Sequence, residues 1–263
     1  LRQKKKEMPI MAHPIDYPKR IIIALDVETR DQALALLREL KDTRIFKVGL
    51  ELFTSTGPVL LEEIRSLGKD VFLDLKLHDI PNTVAEAIKA GVRLGAAMMT
   101  IHASGGEDMM VRAAEAAREE SEKRRAAKPL LLGVTVLTSL RNKELRSIGM
   151  ASDTAAQVLR LAALAKKAGL DGVVCSAEEI EFVRKETGER FLLVTPGIRP
   201  AWAAAQDQKR VTTPLAAFRK GSDYLVIGRP VTRAASPADA FRKIVAELEA
   251  DRDAPDDKKR TQD

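Results

Sequence analysis

Eight short runs rich in β-branched and apolar residues recur along the chain, and no other feature limits its fold so tightly. They are Arg20–Asp26, Phe46–Leu50, Asp70–Lys76, Ala97–His102, Leu130–Leu137, Gly172–Cys175, Phe191–Thr195 and Tyr224–Ile227. Between them lie stretches with helical spacing of apolar residues, at Asp31–Leu40, Val59–Leu67, Thr83–Leu94, Asp108–Lys123, Ala155–Ala168, Ala177–Lys185 and Pro237–Ala250. Only the seventh connection, around Ala201–Arg219, shows no clear period. A run such as Ile21-Ile-Ile-Ala-Leu25 has no polar face to offer water, so both faces of its sheet must be covered. Eight βα units in 263 residues therefore predict one α/β domain, a (β/α)8 TIM barrel. A doubly wound open sheet fits less well, because Asp26-Val-Glu-Thr29 follows the first run instead of a glycine-rich dinucleotide turn.

Composition narrows the function classes. Apolar residues make up 45% and charged residues 31%, as in a folded soluble enzyme. No run approaches the roughly 18 apolar residues of a membrane span, so no membrane partner is expected. Residues 1–20 hold six Lys or Arg against two acidic residues, so most of the formal +6 charge sits at that end. With only ten aromatic residues and no interleaving of basic with aromatic positions, nucleic-acid binding is not expected. The single cysteine, Cys175, cannot form an internal disulfide, and three prolines interrupt Met8–Pro18 where an export segment would be apolar; a cytoplasmic location is expected. The barrel domain is placed at 19–250, with 1–18 as a basic, mobile N-terminal extension and 251–263 as a charged C-terminal tail.

The chemistry-bearing residues collect at the ends of the apolar runs, which in a barrel form one mouth. In Asp74-Leu-Lys-Leu-His-Asp79 the period of two puts Asp74 and Lys76 on one face and Leu73, Leu75 and Leu77 on the other. An unpaired charge is costly to bury there, so the pair must be solvated, partnered or held for a reaction. Lys47 stands inside Ile45-Phe-Lys-Val-Gly-Leu50 and also needs a carboxylate. Lys47, Asp74, Lys76 and Asp79 are expected to form an alternating chain of two cations and two anions, each favouring its neighbours' ionised state; such a chain could also be purely structural. Asp26, His102, Thr138 and Ser139 end neighbouring runs, and a lone Asp there is usually a turn former or helix cap. His78 reads as a turn residue and His102 as strand-end packing. No H-x-x-x-H pair or Cys/His cluster occurs, so no metal site is expected.

A second group follows the seventh and eighth runs, where barrels bind phosphate: Thr195-Pro-Gly-Ile-Arg199, Asp207-Gln208 and Val226-Ile-Gly-Arg-Pro230. Gly197 and Gly228 let backbone N–H groups approach an anion, Arg199 and Arg229 supply forked donors, and the start of the next helix is expected to add its positive end. Two turns with surface arginines would be the plain alternative.

With these segments in hand, the chain resembles the orotidine 5′-monophosphate decarboxylase family over most of residues 20 to 245. The pieces that carry the likeness are Ala24-Leu-Asp26, Lys47-Val-Gly-Leu-Glu-Leu-Phe53, Asp74 to Thr83, His102-Ala-Ser-Gly-Gly106, Leu137-Thr-Ser139, Thr195 to Arg199, Asp207-Gln208 and Ile227 to Thr232. The resemblance implies a decarboxylation without metal or cofactor, turning orotidine 5′-monophosphate into uridine 5′-monophosphate. It makes Lys76 the proton donor, sets Asp74 beside the departing carboxylate, has Lys47 touch the ribose, and gives Asp26 the ribose hydroxyls. Thr138 and Ser139 would meet the base, while Arg199, Gln208, Gly228 and Arg229 would hold the phosphate. Asp79 and Thr83 would reach the partner's site in a homodimer. The alternatives left open are a magnesium-dependent sugar-phosphate decarboxylase on the same fold and a phosphate-binding barrel without turnover.

Overall fold

The first strand, β1 (Ile21–Ala24), is buried at every position, and the reason is that it has neighbours on both edges and cover on both faces. In the computed structural model, which describes residues 15–151, 153–203 and 212–252, β1 pairs in parallel with β2 (Ile45–Gly49) on one side and β8 (Tyr224–Ile227) on the other. Between them run β3 (Asp70–Leu77), β4 (Met98–His102), β5 (Leu130–Val134), β6 (Gly172–Val174) and β7 (Leu192–Thr195), and the order β1-β2-β3-β4-β5-β6-β7-β8 closes on itself. The expected (β/α)8 barrel is what forms.

Alternation along the strands sorts the apolar residues into two cores. Ile22, Ala24, Ile45, Phe72, Met98, Leu132, Val194 and Val226 point inward and fill the barrel. Their neighbours Ile21, Ile23, Phe46, Val48, Leu73, Met99, Leu131, Val173, Leu193, Leu225 and Ile227 point outward under the helices. Each such side chain contributes about 1.5–3 kcal/mol on burial, which is why the strands read as unbroken apolar runs.

The outer layer among the described residues is α1 (Arg30–Glu39), α2 (Leu50–Thr56), α3 (Val59–Ser66), α4 (Pro81–Arg93), α5 (Glu107–Arg124), α6 (Asn142–Ser147), α7 (Thr154–Lys167), α8 (Ile180–Thr187), α9 (Pro214–Arg219), α10 (Arg229–Thr232) and α11 (Pro237–Arg252). Local chemistry sets their starts. Thr29 and Gln32 form a reciprocal capping box on α1, Asp153 caps α7 through the Ala156 N–H, and Pro81 and Pro214 open α4 and α9 where a missing N–H costs nothing.

Several boundaries move from their sequence positions. β5 stops at Val134 and not Leu137, because Thr135 turns its hydroxyl to the Val174 carbonyl. The helix expected from Ala177 starts at Ile180, since Glu179 first accepts a bond from the Ser176 N–H. The seventh connection holds a short 3₁₀ turn at Ala201–Ala203 and α9, while 204–211 lie outside the described residues. The expected N-terminal extension is shorter at its inner end: Tyr17 is buried and its ring meets Phe218 at 5.3 Å. Residues 1–14 and 253–263, which hold the rest of both expected tails, lie outside the described residues.

Candidate active site

At the mouth of the barrel four charges alternate in sign. Lys47 Nζ lies 3.0 Å from Asp26 Oδ1 and 3.6 Å from Asp74 Oδ2, and Lys76 Nζ lies 2.9 Å from the same Asp74 oxygen. Lys47 is the middle residue of β2, and Asp74 and Lys76 follow the inward-facing Phe72 along β3. The Lys47 and Asp74 side chains are each only 12% exposed, so each needs an opposite charge beside it. The fourth member of the chain expected from the sequence was Asp79; the structure puts Asp26 in that place. Asp79 is exposed ahead of α4, where its Oδ1 accepts a 2.7 Å bond from the Ile80 N–H.

β3 is not a regular strand where it carries these residues. Lys76 has φ 50°, in the left-handed region, and the pairing with β4 slips between Leu73 and Leu77. Thr100 of β4 sits against the slip: its Oγ1 accepts the Lys76 N–H at 2.9 Å and donates to Asp74 Oδ1 at 3.0 Å.

The four charges form one wall of a cavity of about 340 Å³, a size suited to a small ligand. Phe72, Val134, Val136, Val174, Ile198 and Val226 contribute apolar lining, and Thr138, Gly197, Arg199, Gly228 and Arg229 line it as well. Gly197 has φ 76°, which only glycine adopts without strain, and the turn it makes carries Arg199, whose N–H donates to the Thr212 carbonyl at 3.1 Å. The cavity thus brings together an acid–base array and a pair of arginines, with Gly228 close beside Asp26. α10 is a single turn, so the field of its start is small and the guanidinium groups dominate.

A family model described as "Orotidine 5'-phosphate decarboxylase / HUMPS family" matches residues 19–244. The chain belongs to this family. The orotidine 5′-phosphate decarboxylase of Saccharophagus degradans is 52% identical over 230 residues, covering 87% of this chain and 94% of the relative. That of Pseudomonas paraeruginosa is 54% identical over 230 residues, covering 87% and 97%. A crystal structure of orotidine 5′-phosphate decarboxylase from Lactobacillus acidophilus superimposes with a TM-score of 0.79 at 38% identity, covering 88% of this chain and 99% of that one.

Within this decarboxylase-family barrel, Asp26, Lys47, Asp74, Lys76, Thr138, Arg199, Gly228 and Arg229 all line the one cavity. Asp79, Thr83 and Ser139 are exposed and lie outside its lining. Gln208 falls outside the described residues. The His78 and His102 rings lie tilted to each other with centroids 5.4 Å apart. Burial, then the nearby His78 and Lys76, hold His102 below the usual imidazole range, with Asp74 pulling the other way. Among the described residues no group of three His, Cys, Asp or Glu comes together that could hold a metal.

Two lining residues were not singled out from the sequence for this role. Cys175 is buried and its thiol is pushed up to about 12, by burial first and then by Glu179, so it serves as cavity wall and not as a nucleophile. Ser176 joins it at the rim. Thr100 was also passed over. Its signal was a hydroxyl inside the apolar Met98-Met-Thr-Ile101 run, but its partners depend on a strand irregularity that no periodicity announces.

Proposed function

We propose that this protein removes carbon dioxide from orotidine 5′-monophosphate to give uridine 5′-monophosphate, the closing step of pyrimidine nucleotide synthesis, with the residues of the mouth in the following roles. The observation that carries the assignment is the Asp26–Lys47–Asp74–Lys76 array in a cavity that Arg199 and Arg229 also line. The arginines, with Gly228 and Gln208, hold the phosphate. Asp26 and Lys47 meet the ribose, and Thr138 and Ser139 the pyrimidine. Phosphate and ribose do not react, so their binding energy serves to hold the base against Asp74 and Lys76 and to exclude water.

The carbon–carbon bond at C6 breaks, its electron pair stays on C6, and carbon dioxide leaves. The Lys76 ammonium stabilises the developing negative charge, then gives its proton to C6 and regains one from solvent. Only an electron pair and a proton move, so the step as written calls on no cofactor. Asp74, ion-paired to Lys76 at 2.9 Å, holds the ammonium aimed at the reacting carbon. In the same reading Asp79 and Thr83 serve the site of a second copy in a homodimer, and the protein works in the cytoplasm.

The test is the loss of orotidine 5′-monophosphate absorbance in excess chelator, with Lys76→Ala in parallel. Turnover by the wild type, and a loss of at least about a thousandfold in the variant with nucleotide binding kept, is the expected result. Near-normal turnover by Lys76→Ala removes that residue from the mechanism. Turnover of a sugar phosphate only when magnesium is added would move the protein to the metal-dependent branch, and nucleotide binding without turnover by the wild type would make it a binding protein.

A further inference from the structure

Asp74 and Lys76 owe their placement to a break in the sheet. Leu73 lies opposite Met99 and Leu77 opposite Ile101, so Asp74, Leu75 and Lys76 of β3 face the single residue Thr100 of β4. Extra residues in one strand of a pair bend it and leave backbone groups without ladder partners. Here the bend is sharp enough to put Lys76 at φ 50°, a conformation that a long side chain adopts only when its surroundings enforce it.

The Thr100 side chain supplies that enforcement. It is 1% exposed, so nothing from solvent can take its place. Its oxygen accepts the Lys76 backbone N–H at 2.9 Å, the group that the bulge takes out of the ladder, and its proton goes to Asp74 Oδ1 at 3.0 Å. That second bond leaves Asp74 Oδ2 to face both lysines, at 2.9 Å from Lys76 and 3.6 Å from Lys47. A single hydroxyl therefore fixes the backbone under the ammonium and the orientation of the carboxylate that pairs with it.

We infer that Thr100 is a positioning residue for the decarboxylation: its hydroxyl locks the β3 bulge in the one arrangement that sets Lys76 against Asp74 and toward C6 of the substrate. This rests on the function proposed above. Thr100 does not line the cavity, so it acts through the two residues it holds and not by touching the nucleotide.

The experiment compares Thr100→Val, which keeps the shape and removes the hydroxyl, and Thr100→Ala, in case the valine protein does not fold, with Thr100→Ser, which keeps the hydroxyl and removes a methyl. For each, kcat and KM for orotidine 5′-monophosphate, Kd for uridine 5′-monophosphate and the unfolding midpoint are measured. The hydroxyl-less variants are expected to lose roughly tenfold to a hundredfold in kcat while KM and the product Kd change by less than about threefold, because misaimed chemistry and intact phosphate binding separate in this way. Thr100→Ser is expected to recover kcat to within about threefold of wild type even if its midpoint falls. Wild-type kcat in a folded hydroxyl-less variant, an equal loss in Thr100→Ser, or a fall in nucleotide binding that matches the fall in kcat would each overturn the inference. A wild-type protein that fails to turn over the nucleotide overturns the proposed function instead, so the two failures cannot be confused.

Discussion

At the scale of single residues, the mouth works because each buried charge has a neighbour of opposite sign, and a titrating group lies close to the array. His102 is half-buried beside His78 and Lys76, and its proton is held less tightly than in the unfolded chain. Between its lowered folded value and the ordinary 6.5, the unfolded chain binds a proton that the folded chain refuses. Stability therefore falls as pH drops through that window and is regained as pH rises; below the folded value both states are protonated and the loss is complete. Replacing His102 with Asn should flatten this part of the curve. Urea midpoints taken from about pH 7 to about pH 5 check it, and an unchanged slope in His102→Asn would assign the pH response to other groups. Lys47, Asp74 and Lys76 were legible in the sequence because a charge inside an apolar run is conspicuous. Asp26 as the partner of Lys47 was not, since which carboxylate closes the chain depends on β1 and β2 lying side by side with Ala24 opposite Lys47.

At the scale of elements, closure of the barrel depends on its shortest strand. β6 has three residues, and Gly172 begins it between Leu132 of β5 and Leu192 of β7. A Cβ built on Gly172 would lie 2.3 Å from the Leu192 carbonyl oxygen and 2.7 Å from its Cβ. Those neighbours are the next strand itself, so the clash cannot be relieved by turning a flexible side chain. Gly172→Ala should lower stability by about 1–3 kcal/mol and the unfolding midpoint by roughly 2–10 °C. An unchanged thermal midpoint would show that β6 can shift away from β7, and that the closure is looser than the packing suggests. All eight strands could be found from their apolar runs, because a parallel sheet covered on both faces writes itself as such runs. The end of β5 and the irregularity of β3 could not. Whether β5 stops at Val134 is decided by a Thr135 hydroxyl bond to β6, and the slip in β3 by Thr100 of β4; both are contacts between strands distant in sequence. The short helices α2, α6, α9 and α10 span at most seven residues each, too few to show a helical period.

At the scale of the whole molecule, one chain carries residues that its own cavity does not use. Asp79 and Thr83 stand exposed at the start of α4, outside the lining of the mouth, and Ile80 between them is a large apolar side chain left 65% exposed. The proposed homodimer gives all three an occupation, since a second copy would cover Ile80 and receive Asp79 and Thr83 at its own site. The arrangement makes a sharp demand on mixed dimers. Lys76→Ala and Asp79→Ala should each be nearly inactive alone. A heterodimer of the two contains one site that carries both substitutions, and one site that carries neither and joins the Lys76 of one chain to the Asp79 of the other. If the subunits pair at random, half of the dimers are mixed and each restores one of its two sites, so about a quarter of wild-type turnover should return on co-refolding. Putting a different tag on each variant and purifying through both would raise that share to about half. If Asp79 instead serves the cavity of its own chain, every site in the mixture lacks either Lys76 or Asp79, and no activity returns however completely the subunits exchange.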